Sequence, residues 1–247
     1  MSLPKRITPD SIIDAAVETR YASKYPFEIL NGIIFSYLQE SYRYTTRPLK
    51  PNIPLPTSNP ITAITMNIGS QSLFYNDAIS IRLLPNALIF GCVENYIGWG
   101  QYSAEIARVL MAVGQIEQID RWVRVGIRYT TEYVNTDLKD CTKFNFTFGM
   151  PEVQSTSTFF RTELRYRDAN VILSLNNKVP AIRQIPGENT AQVVATSTID
   201  IDTIREPLAI DNIPELMAVL HSTHDTEKEI FFRLLKEEFL QTLKPEY

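Results

Sequence analysis

The chain has only two histidines, and both fall in one short run, Leu220-His221-Ser222-Thr223-His224-Asp225. On a helix, side chains three residues apart share a face, so His221 and His224 can meet a metal ion or a reacting group together. Asp225 or Glu227 would add a carboxylate. The pattern stops there. No third ligand follows at a recognisable spacing, and the two-turn His-Glu-x-x-His arrangement of zinc proteases is missing. The plainer explanation is that both imidazoles hydrogen-bond where a helix passes from core to solvent. His224 and Glu227 also share the register that joins Leu220 to Phe231. A polar group on such a stripe costs on the order of 1–3 kcal/mol unless it is partnered. Residues 221–229 hold no apolar side chain, which predicts that the helix projects past the sheet there or breaks.

A second set of candidates is arginine-rich. Strand alternation puts Arg161, Glu163, Arg165 and Arg167 on one side of their strand. It also puts Arg124 and Arg128, together with Arg82, on the polar side of theirs. If these strands are neighbours, several guanidinium groups line one sheet face, which would suit a phosphate, a carboxylate or a nucleic-acid backbone. The competing explanation is cross-strand pairing with Glu18, Glu132 and Glu163. A third candidate is Tyr96-Ile97-Gly98-Trp99, whose aromatics either staple a helix to the sheet or form a stacking surface. No Walker-type phosphate loop, glycine-rich dinucleotide turn or Gly-x-Ser-x-Gly elbow occurs, and nine glycines leave little room for one. No metal site and no cofactor are therefore assigned.

The elements that must position these residues read as follows. Ser11 to Ala22 alternates as a strand, with Ile13, Ala15, Val17, Thr19 and Tyr21 on its apolar face. Pro26 opens an amphipathic helix carrying Phe27, Leu30, Ile33, Ile34, Tyr37 and Leu38. Pro48 to Pro60 holds five prolines in thirteen residues and reads as an extended connector. Two strands between Ser72 and Tyr96 meet at Pro85-Asn86. A helix follows with Tyr102, Ile106, Val109, Leu110 and Val113. A long strand then places Val123, Val125, Ile127, Tyr129 and Tyr133 opposite Arg124, Arg128, Thr130 and Glu132. Phe144 to Phe148 is a short strand, and Thr158 to Tyr166 with Val171 to Leu175 forms a hairpin around Asp168-Ala169-Asn170. Gln192 to Thr203 is a further strand. Asn212, with Glu215 three residues on, opens the last helix as a capping box.

This pattern predicts an α+β protein: a large, mainly antiparallel sheet with about three main helices on one face. It fits one domain over residues 1–247, with 11–135 and 142–240 as two similar halves of one sheet. The tetrapeptide Arg-Tyr-Thr-Thr also occurs twice in the chain, at 43–46 and 128–131. At 44% hydrophobic residues the 247-residue chain can build a core. No apolar run reaches the roughly 18 residues of a membrane span, and Lys5 and Arg6 followed by the polar turn Thr8-Pro9-Asp10 give no expectation of a signal peptide. Cys92 and Cys141 are too few for a disulfide framework. A soluble, cytoplasmic protein is expected, with no membrane partner. The net charge of −4 gives no global reason to expect nucleic acid, although 15 arginines against nine lysines keep the arginine face open to it.

Ile13 to Arg20 (Ile-Asp-Ala-Ala-Val-Glu-Thr-Arg), Val125-Gly126-Ile127-Arg128-Tyr129, and Leu220-His221 followed by Phe231 resemble the corresponding stretches of a sporadically distributed bacterial family of uncharacterised proteins. Members commonly carry an acidic residue after the histidine and an asparagine two residues after the tyrosine. This chain has Ser222 and Thr131 there and departs from the pattern. The resemblance implies a bacterial, cytoplasmic, single-domain protein and carries over no established activity. The leading expectation is a non-enzymatic binding or protein-interaction module, its partner an unknown protein or a small anionic ligand, with a homodimer also open. The alternatives are a hydrolase or metal-dependent enzyme centred on His221 and His224, and polyanion binding by the arginine face. The residues carrying these readings are Arg124, Arg128, Arg161, Arg165, Trp99, His221 and His224; no catalytic residue is assigned.

Overall fold

The computed structural model describes residues 3–47, 71–144, 157–184 and 191–247. The connector expected over 48–60, and all but Phe144 of the strand expected over 144–148, lie outside these. The strands are β1 (Ile12–Ala22), β2 (Arg43–Arg47), β3 (Gln71–Tyr75), β4 (Ile79–Leu84), β5 (Ala87–Cys92), β6 (Arg121–Val134), β7 (Thr158–Tyr166), β8 (Ala169–Gln184) and β9 (Ala191–Arg205). The helices are α1 (Phe27–Leu38), α2 (Trp99–Val113), α3 (Leu138–Cys141), α4 (Ile213–Leu234) and α5 (Glu237–Thr242). All nine strands join one antiparallel sheet in the order β2-β3-β4-β5-β1-β6-β9-β8-β7, and the helices pack against one face of it. The fold class is α+β, as the alternation and helical spacing imply.

The central pair, β1 and β6, sets the two faces. Ala15, Val17, Thr19 and Tyr21 of β1 point to the helices, as do Val125, Ile127, Tyr129 and Tyr133 of β6. Val123, expected with them, is the extra residue of a slip in the β1–β6 pairing, and Trp122 is buried in its place. Arg124, Arg128, Thr130 and Glu132 take the opposite face. Ile13 is the exception on β1, at 54% exposed. Pairing slips between Ile12–Thr131 and Asp14–Thr130, so Ile13 is the extra residue of a bulge. Helix α2 buries all five of its expected apolar positions, Tyr102 to Val113, whereas α1 buries Leu30, Ile34 and Leu38 and leaves Tyr37 half exposed.

The buried side chains divide into two cores. The larger lies under α1, α2 and the first turns of α4, and includes Phe74, Phe90, Tyr102, Ile127, Leu216 and Leu220. The smaller lies under α3, α5 and the end of α4, and includes Tyr133, Val171, Leu173, Ile199, Ile201 and Leu240. Between them α4 presents Thr223, Thr226 and Glu227, all at most 5% exposed. The threonine hydroxyls are satisfied by donating back to the carbonyls of Val219 and Ser222.

Four expectations need correction. The stretch 72–96 carries three strands and not two, because the Asn76 carboxamide accepts from the N–H groups of Ala78 and Ile79 and makes a second turn before Pro85-Asn86. The β7–β8 turn is tighter than expected: Arg167 takes φ 55°, and Ala169 and Asn170 already pair with Tyr166 and Arg165. Strand β8 runs on past Leu175 to Gln184, with Lys178 at φ 55° absorbing a bulge between Asn176 and Val179. Helix α4 neither projects nor breaks. Its polar middle lies on β6 and β9, and its start is capped as expected, Asn212 Oδ1 accepting from Glu215 N–H at 2.9 Å.

Candidate functional site

Trp99 is the first residue of α2, and Gly98 before it takes φ 83°, a conformation that favours glycine. This turn swings the indole onto α4. Its Nε1–H donates to His221 Nδ1 at 3.1 Å, and its ring lies parallel to His224, 4.1 Å between centroids and 4° between planes. His221 meets the indole edge-on, at 88°. The two histidines therefore grip one tryptophan from adjacent sides, as their three-residue spacing allows. The bond to Trp99 makes His221 Nδ1 an acceptor and puts the proton of its neutral form on Nε2.

Below the stack, His224 meets the Tyr129 ring edge-on at 6.0 Å, and the hydroxyls of Tyr129 and Tyr96 lie 3.2 Å apart. Glu227, one turn beyond His224, is 5% exposed, and no described residue hydrogen-bonds to its carboxyl group. Burial pushes that group up to about 8 from its ordinary value near 4.5, with only weak opposition from Lys228. Burial likewise pushes His224 down to about 4 from its ordinary 6.5, against the pull of Asp225. Asp225 Oδ1 is 3.5 Å from His224 Nδ1 but not aligned as a hydrogen bond. At neutral pH both groups are uncharged, so the seam between the two cores is polar but carries no net charge.

Among the described residues no group of three or more His, Cys, Asp or Glu side chains is placed to hold a metal ion. Among the described residues no hydrogen bond or ion pair joins either imidazole to Glu227. What this arrangement offers a ligand is hydrogen bonding at the exposed His221.

Arg82, Arg124, Arg128, Arg161 and Arg165 all lie on the helix-free face, but their strands are not neighbours. β6 and β7 are separated by β9 and β8, about 14 Å at the usual ~4.8 Å spacing. The central arginines meet carboxylates. Arg128 binds Asp200 through Nε and Nη2, at 3.0 and 2.5 Å. Arg124 lies 3.2 Å from Glu18 and 3.5 Å from Glu206, and Arg20 Nε is 2.7 Å from Glu18. Asp202, beside Gly126, is pushed up to about 6 by burial and by Asp200 and Glu18, despite the pull of Arg124 and Arg128. Arg161 and Arg165, on β7, have no ion-pair partner among the described residues.

Two features escape sequence reasoning. Tyr42, Asn76 and Arg108 converge on Glu105, and the Arg108 hydrogen bond does most to hold its carboxyl group down at about 2. Near them a cleft of about 660 Å³, lined by Phe35, Tyr42, Tyr44 and Tyr75, closes the β2–β3 corner. Arg205 spans the β7–β8 turn and α4, bonding Asp168 at 2.9 Å and Ser222 Oγ at 3.0 Å. Each is a contact between residues at least 17 apart, apart from the Glu105–Arg108 pair, and no local pattern announces it. No helix among the described residues is long and apolar enough to cross a membrane. No protein-family model matches the chain, and no curated protein matches it.

Proposed function

We propose that the protein is a non-enzymatic interaction module that offers the helix-free face of its sheet to another protein. One observation carries this reading: among the described residues every helix packs on one face of the nine-stranded sheet and none on the other. Its centre is tied down by the Arg20–Glu18–Arg124 and Arg128–Asp200 pairs. Beside them Leu73, Tyr75, Leu84 and Ile89 are half exposed around Arg82, a mixture of aliphatic, aromatic and arginine side chains typical of protein interfaces. The pairing of the central arginines argues against a polyanion as the partner. The setting we propose is a bacterial cytoplasm, on the resemblance and the two free cysteines.

Affinity capture from cell lysate tests it, using wild type, Leu73→Glu/Arg82→Glu and His224→Ala. A protein held by wild type and by His224→Ala, but lost from the sheet-face variant, is the expected result. Capture that ignores the sheet-face substitutions overturns the reading.

A second reading, an enzyme centred on His221 and His224, draws on the buried Glu227 and on the His224 Nδ1 that lacks a hydrogen bond among the described residues. It predicts a stoichiometric transition metal by elemental analysis, lost in His224→Ala. Metal-free wild type removes its metal-dependent form.

A further inference from the structure

Strand β7 is an edge of the sheet: among the described residues it pairs only with β8. It is nine residues long and contains no proline. Long bare edges are usually blunted, because their free N–H and C=O groups invite another strand. This one also exposes apolar side chains on both faces, Phe159 at 66% and Leu164 at 44%. Phe159, Arg161, Glu163 and Arg165 lie on the helix-free face, while Phe160, Thr162 and Leu164 lie on the helix face.

We propose that β7 pairs antiparallel with β7 of a second copy, about a two-fold axis through Thr162, joining two nine-stranded sheets into one. The charge pattern selects this occupant. Paired residues in an antiparallel ladder share a face, so only registers that match like faces are allowed. With Thr162 opposite itself, Arg161 meets the second copy's Glu163, and Glu163 meets its Arg161. Arg165 stacks on its Phe159, Phe160 meets its Leu164, and the central pair is Thr–Thr. Every position then finds a favourable cross-strand partner. Moving the axis to Arg161 sets Arg161 against itself. Moving it to Glu163 sets Glu163 against itself and Arg161 against Arg165. The sequence Phe159-Phe-Arg-Thr-Glu-Leu-Arg165 thus reads as its own complement in one register and repels itself in both adjacent ones. An isologous contact of this kind closes as a dimer and does not propagate. It leaves the helix-free face uncovered and does not depend on what that face binds.

Sedimentation velocity over a concentration series of the full chain tests the pairing by charge exchange. Wild type is expected to dimerise. Arg161→Glu and Glu163→Arg each place two like-charge pairs across the axis and weaken the dimer by about ten-fold or more. Combining Arg161→Glu with Glu163→Arg in one chain restores it, and so does mixing the two single variants, which then form a heterodimer. These side chains are exposed, so unchanged circular dichroism and Tm establish that each variant is folded. A monomeric wild type, or single variants that dimerise as wild type does, overturns the proposal. Disrupted singles that neither the double variant nor the mixture rescues overturn the Thr162-centred register.

Discussion

Glu227→Gln should make the protein markedly more stable in mild alkali and leave it unchanged in acid. In the folded chain Glu227 holds its proton up to about pH 8, while in the unfolded chain it releases it near 4.5. Between these values the folded state binds one proton more than the unfolded state, so stability falls as pH rises, by about 1.4 kcal/mol per pH unit. The full penalty above pH 8 is of order 5 kcal/mol, and below 4.5 it is absent. His224 works in the opposite sense: its folded value of about 4 lies below the unfolded 6.5, so it contributes stability that is lost as pH falls from 6.5. The two slopes cancel between about 4.5 and 6.5, and Glu227 acts alone above that. Urea denaturation across a pH series should therefore show wild type falling by about 2 kcal/mol between pH 6.5 and 8. In Glu227→Gln that fall disappears; below about pH 6 the rising limb of His224 is offset by Asp202, whose buried carboxyl group also holds its proton longer in the folded chain. Parallel pH curves for the two proteins would refute this account of the seam.

Tyr102→Ala should cost about 3–5 kcal/mol, as large-to-small changes of fully buried aromatics do. Tyr102 is completely buried, and its ring packs edge-on against both Tyr96 and Trp99, with centroids 6.2 and 6.3 Å away. Its hydroxyl makes only a 3.5 Å bond to the Ala15 carbonyl, so Tyr102→Phe should cost about 1 kcal/mol or less. The contrast separates packing from hydrogen bonding. Because the ring supports the indole that stacks on His224, Tyr102→Ala should also shift the tryptophan emission to the red, and Tyr102→Phe should not. An unshifted spectrum in folded Tyr102→Ala would mean that the α4 histidines alone hold Trp99.

The elements that could be read from the chain are those with one clean apolar face. α2 shows this, with every assigned apolar position buried, and so does β6 from Val125 to Tyr133, although a slip at Val123 turns Trp122 into the core in its place. Elements at the margins obey weaker rules. Arg43–Arg47 lies at the outer edge of the sheet and carries arginine at both ends, so its alternation does not separate a core face from a solvent face. The far half of β8 is interrupted by a left-handed Lys178 and by Pro180, which masks a strand that pairing with β9 sustains. The same limit governs the site. That His224 and Glu227 sit on a core-facing register, and so need an explanation, follows from helical spacing alone. That Trp99 supplies the stack for His224, and Tyr96 and Tyr129 the neighbouring hydroxyls, depends on how α2, α4 and β6 cross. Polarity alone wrongly implies a helix that projects or breaks over residues 221–229. Back-bonded threonines and a protonated carboxyl group let a polar stretch be buried without a net charge.

The division into two cores has a mechanical side. Among the described residues α4 is the one long helix that reaches both, with Leu216 and Leu220 in the first and Phe231 and Leu234 against the second. Between these anchor points its grip on the sheet is polar and contributes little apolar burial. Either end can therefore lift without exposing the other end's hydrophobic surface, and the continuous strands β6 and β9 are what force the two regions to report on each other. Local openings should divide at Thr223–Glu227, so that the chain behaves as two cooperative units sharing a backbone hinge and not as one indivisible block.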